Sequence, residues 1–162
     1  MVLSAGDDYY VGDLIMSVLY VMCGVPGSGK STFSRKFAEE KELERFSFDE
    51  MQCFRLESFM RPAVEAMREG KSVILDTTNL RVNVRKKVLQ AVEDIPCRKV
   101  VVYMDTSLEQ CLYRNAHREA RLQDCIIEST YRSLQKPTFD EGWDEIIIVK
   151  EAGTYESDFT SD

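Results

Sequence analysis

The sequence is poor in the residues that build metal centres and disulfide frameworks. It has a single histidine, His117, and five cysteines, none of them in a C-x-x-C pair. An odd number of widely spaced cysteines is typical of buried thiols in a reducing compartment, so neither a disulfide scaffold nor a structural zinc site is expected. His117 has no obvious acidic partner, and we assign it no catalytic role.

Long apolar segments and clustered basic charge are also missing. The apolar run over residues 14–25 is too short to span a bilayer and has no basic flank before it, which argues against a membrane anchor and favours a cytoplasmic protein. The net charge is −7, and it comes from end segments without Lys or Arg, which hold Asp7, Asp8, Asp13, Glu151, Glu156, Asp158 and Asp162. Residues 14–150 are therefore neutral overall. This excludes a broad electrostatic grip on nucleic acid but allows binding of one strand end through a few phosphates.

The length of 162 residues suits one domain. We expect an N-terminal extension over residues 1–13, a folded domain over residues 14–150, and a disordered acidic tail over residues 151–162. Five strand-like runs alternate with helical patterns: Ile15–Cys23, Arg45–Phe48, Ser72–Leu75, Lys99–Met104 and Glu145–Val149. Such alternation predicts an α/β fold, a parallel sheet covered by helices on both faces. Among the helices, we expect one over residues 50–60, one from Pro62 to Gly70, one from Ser107 through Arg114 and onward, and one over residues 124–135.

The most specific motif follows the first strand. Residues 24–32 read GVPGSGKST and fit the pattern G-x-x-x-x-G-K-[ST], which indicates binding of a nucleoside triphosphate with Mg²⁺. Its glycines allow positive φ angles and leave no Cβ in the way, so consecutive N–H groups can turn around the β-phosphate. Lys30 should reach the β- and γ-phosphates, and the Ser31 hydroxyl should bind Mg²⁺. We expect these residues to bind the nucleotide: Gly24, Pro26, Gly27, Ser28, Gly29, Lys30, Ser31 and Thr32.

Two carboxylates follow other predicted strands, so they should emerge at the carboxyl edge of the sheet. Asp76 begins the sequence DTTN and could hold a magnesium-bound water; the alternative is an Asx turn that ends the strand. Asp49 follows the run Phe46–Phe48 and could accept the proton of an attacking hydroxyl. Its alternative role is the N-cap of the next helix.

Arginines supply the cations that a phosphoryl transferase needs outside the phosphate loop. Arg114, Arg118 and Arg121 are spaced by four and three residues, which predicts one helical face and a lid over the nucleotide. Of these, Arg118 is the foremost candidate for the γ-phosphoryl group and Arg114 for a further nucleotide contact. Arg85 is a candidate for a substrate phosphate. A solvated helix face is the alternative for all of them.

Together these motifs resemble the 5′-polynucleotide kinase group of P-loop kinases. The likeness covers about residues 16–149 and includes the phosphate loop, Asp49, the DTTN run, Arg114-Asn115-x-x-Arg118, Tyr131-Arg132, Pro137-Thr138 and Glu141-Gly142-Trp143. It implies a sheet of strand order 2-3-1-4-5 and transfer of the γ-phosphoryl group of ATP to a 5′-hydroxyl of DNA or RNA. By resemblance, Lys30 and Ser31 serve ATP and Mg²⁺, Asp49 is the general base, and Arg118 acts on the phosphates. Asp76 and Asn79 match the motif that faces the acceptor.

Two departures from that group keep other acceptors open. Phage-type enzymes carry an arginine three residues after the base, where this chain has Gln52, with Arg55 the nearest candidate. The segment between Asp49 and Ser72 is also short. A small-molecule or tRNA-linked hydroxyl kinase of the same superfamily is therefore an alternative, as is a non-catalytic nucleotide-binding switch. No D-x-D-G-T phosphatase signature occurs in this chain, and the sequence does not specify an oligomeric state.

Overall fold

The computed structural model describes residues 9–11, 14–150 and 155–159. Within these ranges the strands are Tyr9–Val11 (β1), Leu14–Cys23 (β2), Glu44–Ser47 (β3), Val73–Asp76 (β4), Cys97–Asp105 (β5), Glu145–Lys150 (β6) and Tyr155–Phe159 (β7). The helices are Lys30–Lys41 (α1), Leu56–Arg68 (α2), Val82–Ala91 (α3), Leu108–Ala116 (α4) and Asp124–Ser133 (α5), followed by a 3₁₀ turn at Phe139–Glu141. None of the described helices combines the length and the apolar character that crossing a membrane requires.

Five strands pair in parallel in the order β3-β4-β2-β5-β6. These are the five predicted runs, and in chain order they read 2-3-1-4-5, so the predicted α/β fold and strand order are confirmed. The carboxyl ends of all five strands therefore meet at one edge. Ligands of open α/β sheets bind at that edge, near the point where the strand order reverses.

Alternate residues of the central strands point into two separate apolar clusters. Leu19 and Val21 of β2 pack with α2 and α3 on one face, whereas Val18 and Tyr20 pack with Phe37 of α1 on the other. Because β2 and β4 are buried on both faces, their sequences are almost continuously apolar. The loop between β2 and α1 is thus anchored at both ends by buried elements.

Two antiparallel strands extend the predicted sheet. β1, from the N-terminal extension, pairs with residues 14–16 of β2, and β7, from the acidic tail, pairs with residues 145–149 of β6. The predicted disorder of the tail is wrong for Tyr155–Phe159, while residues 151–154 and 160–162 lie outside the described residues. Strand β7 makes side-chain contacts that its polar composition does not suggest. The Tyr155 and Phe33 rings lie 6.1 Å apart, and the Lys150 ammonium is 3.3 Å from the Glu156 carboxylate.

The connection between β3 and α2 also differs from prediction. The helix expected over residues 50–60 forms only from Leu56, because residues 49–52 form a turn and Gln52 has a φ of 52°. An L-residue with that φ ends a right-handed helix. A single helix, α2, instead begins at Leu56 and contains Pro62, which was expected to start it. The predicted end is confirmed, since Gly70 follows α2 with a φ of 85°.

A fully buried ion pair joins α3 to the 3₁₀ turn. Arg85 Nε donates to Glu141 Oε1 at 2.6 Å and Nη2 to Oε2 at 3.1 Å, with side-chain exposures of 0% and 3%. Burial acts to raise the pKa of Glu141, but hydrogen bonds from Arg85, Thr138 and Trp143 outweigh it and hold the pKa below its ordinary value. The predicted contact between Arg85 and a substrate phosphate is therefore wrong, because its guanidinium is enclosed within the fold.

We predict that Glu141→Gln lowers the free energy of unfolding by about 3 kcal/mol or more, because it leaves the Arg85 cation buried without a counter-charge. Urea unfolding at pH 7 measures this loss. The double variant Arg85→Met, Glu141→Leu should recover part of it, because it removes both charges but leaves the Asn79 carbonyl and the Thr138 N–H without these partners. The control is Asp94→Asn, which breaks an exposed pair with Arg68 at 3.3 Å and should cost about 1 kcal/mol or less. Equal losses for Glu141→Gln and Asp94→Asn would contradict a structural role for the buried pair.

Candidate functional site

The loop between β2 and α1 has the conformation of an anion cradle. Gly27 and Gly29 have φ values of 84° and 90°, and a Cβ on Gly27 would lie 2.6 Å from the Cys111 carbonyl oxygen. Gly29 is the N-cap of α1 and offers no side-chain bond to the first N–H groups. Ser28 Oγ is buried and has no hydrogen-bond partner among the described residues. An uncapped helix start with an unpaired hydroxyl beside it suits an anionic ligand.

Three neighbouring elements hold this loop in place. The Gly24 N–H donates to the Thr78 carbonyl at 3.0 Å. Thr106 Oγ1 and Arg114 Nη1 both donate to the Ser28 carbonyl, each at 2.9 Å. Arg114, predicted as a nucleotide contact, therefore lies against the loop and supports its backbone.

Lys30, the first residue of α1, lies in the electrostatic field of the predicted catalytic groups. Burial lowers the pKa of Lys30, the charges of Asp76 and Asp49 oppose that shift in this order, and Arg118 adds to it. The carboxyl ends of β2, β3 and β4 meet at one edge of the sheet, which places Lys30, Asp76 and Asp49 on the same side of the molecule. Ser31, the predicted magnesium ligand, is the next residue of α1.

Asp76 is buried at the carboxyl end of β4, where two donors share one of its oxygens. Ser34 Oγ lies 3.0 Å and Arg45 Nη2 2.5 Å from Asp76 Oδ2. The Asp76 side chain thus bonds to α1 and β3, whereas in an Asx turn it would bond to the backbone two residues further on. Sequence reasoning missed Arg45, although a cation inside a strand-like run was a signal that could have identified it.

Asp49 is exposed in the turn after β3. The N-cap of α2 is Arg55, so the alternative role of Asp49 as a helix cap is wrong. The next residue, Glu50, bonds to Arg35 at 2.6 Å and to Arg45 at 2.9 Å. Hydrogen bonds from Arg35 and then Arg45 lower the pKa of Glu50, so this neighbour of Asp49 is ionised at neutral pH.

Asn79 is not available to a substrate in the way that the sequence suggested. It is 1% exposed, with a φ of 44°, and its Nδ2 donates to the Met22 carbonyl at 2.9 Å. Its own carbonyl accepts from Arg85 Nη1 at 2.8 Å. The predicted substrate contacts of Asn79 and Arg85 are therefore both wrong. The two residues instead tie the end of β2 to the segment after β4.

The arginine face predicted on one helix does not form, because α4 ends at Ala116. Asn115 is fully buried and bonds to both backbone groups of Leu122, with Nδ2 to the carbonyl at 2.8 Å and Oδ1 from the N–H at 3.0 Å. These bonds close the loop over residues 117–123. Arg118 lies exposed in that loop and reaches the field of Lys30, whereas Arg121 pairs with Asp124 at 3.4 Å.

A cavity of about 430 Å³ lies beside the phosphate loop. Thr32 and Arg114 line it on the loop side, and the rings of Phe33 and Tyr155 form an aromatic wall. Neither Lys30 nor the two carboxylates line this cavity. Tyr155 was missed because its segment was expected to be disordered.

Comparisons with known proteins agree with this architecture. The AAA domain family matches residues 19–137. The chain is 25% identical over 133 residues to the bifunctional polynucleotide phosphatase/kinase of Schizosaccharomyces pombe, which covers 79% of this chain and 32% of that protein. It is 27% identical over 143 residues to the L-seryl-tRNA(Sec) kinase of Methanococcus maripaludis, which covers 78% of this chain and 56% of that protein. The chain thus spans between a third and a little over half of these curated relatives.

A sugar kinase from Janibacter sp. HTCC2649 has a similar structure, with a TM-score of 0.63 at 19% identity, over 83% of this chain and 85% of that one. At this identity the likeness concerns the fold. The family match, by contrast, extends from β2 to beyond α5, well over half of the sequence. The chain therefore belongs to the AAA domain family and has the P-loop kinase fold.

Proposed function

We propose that the protein is an ATP-dependent kinase that transfers the γ-phosphoryl group to a hydroxyl, most favourably the 5′-hydroxyl of a polynucleotide. The observation that carries this proposal is the sheet edge that Lys30, Asp76 and Asp49 share. Lys30 begins α1, Asp76 bonds to Ser34 of the same helix at 3.0 Å, and Asp49 follows the neighbouring strand β3. A module that only binds nucleotide needs a cation at the phosphates. It has no need of an exposed carboxylate near that cation, whereas a kinase needs one as a base for the acceptor.

The nucleotide is proposed to occupy the phosphate loop and the adjoining cavity. The Gly27–Thr32 backbone and the start of α1 bind the phosphates, and Lys30 contacts the β- and γ-phosphate oxygens. The adenine base of ATP fits the cavity that Arg114, Phe33 and Tyr155 line. Mg²⁺, when bound, neutralises charge on the phosphates, and the oxygen donors that suit it here are the Ser31 hydroxyl and the Asp76 carboxylate.

At the acceptor, Asp49 accepts the proton of the hydroxyl as the hydroxyl oxygen bonds to the γ-phosphorus. The bond between that phosphorus and the β–γ bridging oxygen breaks, which leaves ADP. Arg118, on the loop between α4 and α5, donates to the γ-phosphoryl oxygens as their charge spreads. Arg114 contributes indirectly, through its bond to the Ser28 carbonyl.

Two observations favour a nucleic-acid end as the acceptor. Phe54 is 96% exposed and Met51 is 37% exposed, and both lie on the connection that carries Asp49. An exposed aromatic ring on the same connection as Asp49 can stack on a nucleobase of the acceptor, a contact worth about 1–3 kcal/mol. Moreover, one curated relative is named as a polynucleotide kinase, whereas the other, a seryl-tRNA kinase, keeps a tRNA-linked hydroxyl as an alternative acceptor. The neutral charge of residues 14–150 suits contact with only a few phosphates.

A small hydroxyl compound is the second candidate acceptor. The observation that favours it is the short connection over residues 48–55, between β3 and α2, which offers little surface to a long strand.

We predict that wild-type protein labels 5′-hydroxyl DNA or RNA from γ-labelled ATP, and that Asp49→Asn slows this transfer by about 10²- to 10⁴-fold because an amide cannot accept the proton. The ATP affinity and the thermal midpoint should stay at wild-type values. The assay compares 5′-hydroxyl DNA, 5′-hydroxyl RNA, seryl-tRNA, nucleosides and sugars as acceptors. Asp105→Asn is the control, because Asp105 is an exposed carboxylate at the end of β5, which β4 and β2 separate from β3.

Each outcome separates the candidates. Labelling of a sugar alone would replace the polynucleotide with the second candidate. Unchanged transfer by Asp49→Asn would move the base to another residue. Absence of labelling of every acceptor, with ATP still bound, would favour a nucleotide-binding switch.

We further predict that Phe54 recognises the base at the 5′ end. Wild-type protein should transfer to an oligonucleotide with an abasic 5′ residue with kcat/KM about 10-fold lower than to the intact one, which corresponds to one lost stacking contact. Phe54→Ala should show the same loss with the intact substrate and no further loss with the abasic one. Phe54→Trp should retain the preference for the intact end. A wild-type enzyme indifferent to the missing base would rule out stacking, without touching the proposed activity.

A further inference from the structure

We propose that Arg45 is a positioning residue that fixes Asp76 through a single carboxylate oxygen and links it to the turn that carries Asp49. This inference rests on the proposed function, because Arg45 is argued to act through Asp76 and Asp49, which the proposed kinase uses for Mg²⁺ and for the acceptor. Arg45 lies in β3 and is mostly buried, with 13% of its side chain exposed.

Each nitrogen of the Arg45 guanidinium has a different partner. Nε donates to Ser34 Oγ at 2.9 Å, Nη2 to Asp76 Oδ2 at 2.5 Å, and Nη1 to Glu50 Oε2 at 2.9 Å. The three partners belong to α1, to the end of β4 and to the turn after β3. Because the guanidinium is planar and rigid, it holds these three elements in fixed relative positions, which a lysine ammonium on a flexible stem does not.

The two oxygens of Asp76 are thereby given different tasks. Both Arg45 and Ser34 bond to Oδ2. This clamp fixes the plane of the carboxylate and directs Oδ1 away from the two donors. Asp76 also exerts the largest charge effect on Lys30. We infer that Oδ1 serves the phosphate and magnesium side, while Oδ2 serves as the anchor.

The same guanidinium reaches the acceptor side through Glu50. Arg35 of α1 donates to the other oxygen of Glu50 at 2.6 Å, so this carboxylate is held by two arginines. Glu50 directly follows Asp49. A fixed Glu50 therefore restricts the backbone that aims Asp49 at the acceptor, and a misplacement of about 1 Å at such a base can cost about 100-fold in rate.

The experiment uses variants of Arg45, Glu50 and Ser34 to separate the magnesium side of Asp76 from the acceptor side of Asp49. Affinity for a fluorescent ATP analogue is measured with and without Mg²⁺, together with kcat, the acceptor KM and the thermal midpoint. Arg45→Met should bind the analogue without Mg²⁺ as wild type does, but should lose about 10- to 100-fold of the affinity gained from Mg²⁺, as is typical when the partner of a metal ligand is removed. Its kcat should fall by at least the same factor. Arg45→Lys should recover only part of either loss.

Glu50→Gln should show the opposite pattern, with the gain from Mg²⁺ retained and transfer to the acceptor slowed. Ser34→Ala, which removes the second donor on Oδ2 and changes little volume, should lose part of the gain from Mg²⁺; it decides the question if Arg45→Met does not fold. Arg68→Met is the control, since Arg68 is an exposed arginine of α2 that pairs with Asp94 and contacts neither Asp76 nor Glu50.

A merely structural role predicts a different result. If Arg45→Met weakens binding equally with and without Mg²⁺, or lowers only the thermal midpoint, the positioning role is overturned. The same holds if Glu50→Gln and Arg45→Met behave alike in every readout. Failure of the proposed function is distinguishable, because then wild-type protein itself transfers to no hydroxyl.

Discussion

The partly buried ammonium of Lys30 is the constraint on which the rest of the site depends. A cation at the start of a helix is opposed by both the helix dipole and the loss of water, so it needs negative charge close by. Asp76 and Asp49 supply that charge from the ends of two neighbouring strands. Phosphate oxygens are suited to the same position. The parallel sheet makes the arrangement possible, because it brings the carboxyl ends of β2, β3 and β4 to one edge.

Three arginines of this chain illustrate how environment decides what one side chain does. Arg85 is enclosed and bonded to Glu141, so its guanidinium joins two elements of the fold. Arg45 is mostly buried and divides its donors among three elements around Asp76. Arg118 is exposed on a loop, where we propose that it acts on the γ-phosphoryl group. All three carry the same charge and the same planar group, so burial and partners, rather than residue type, separate their roles.

Local patterns in the sequence were sufficient for the five parallel strands, the phosphate loop and the strand-end carboxylates. Apolar runs with alternating helices indicate a parallel sheet, and that sheet brings Asp49 and Asp76 to the edge near Lys30. Features that depend on side chains distant in the sequence were not predictable. The pair Arg85 and Glu141 is one such case, and the clamp of Arg45 on Asp76 is another, since their partners lie 56 and 31 residues away.

Helix boundaries failed for a related reason. The break in the predicted arginine helix follows from the bonds of Asn115 to Leu122, and the late start of α2 follows from the positive φ of Gln52. Neither residue type excludes a helix by itself. The acidic tail was expected to be disordered from its composition, which does not reveal that Tyr155 packs beside Phe33. Tertiary contacts thus override local preference at these places.

A crystal structure of the protein with a non-hydrolysable ATP analogue, Mg²⁺ and a 5′-hydroxyl dinucleotide tests the central claim most directly. We predict that the phosphates lie in the loop over residues 24–32, with the 5′ oxygen in line with the γ-phosphorus. That oxygen should lie about 2.6–3.2 Å from a carboxylate oxygen of Asp49. A 5′-hydroxyl bonded to another residue, with the Asp49 carboxylate facing water, would contradict this account.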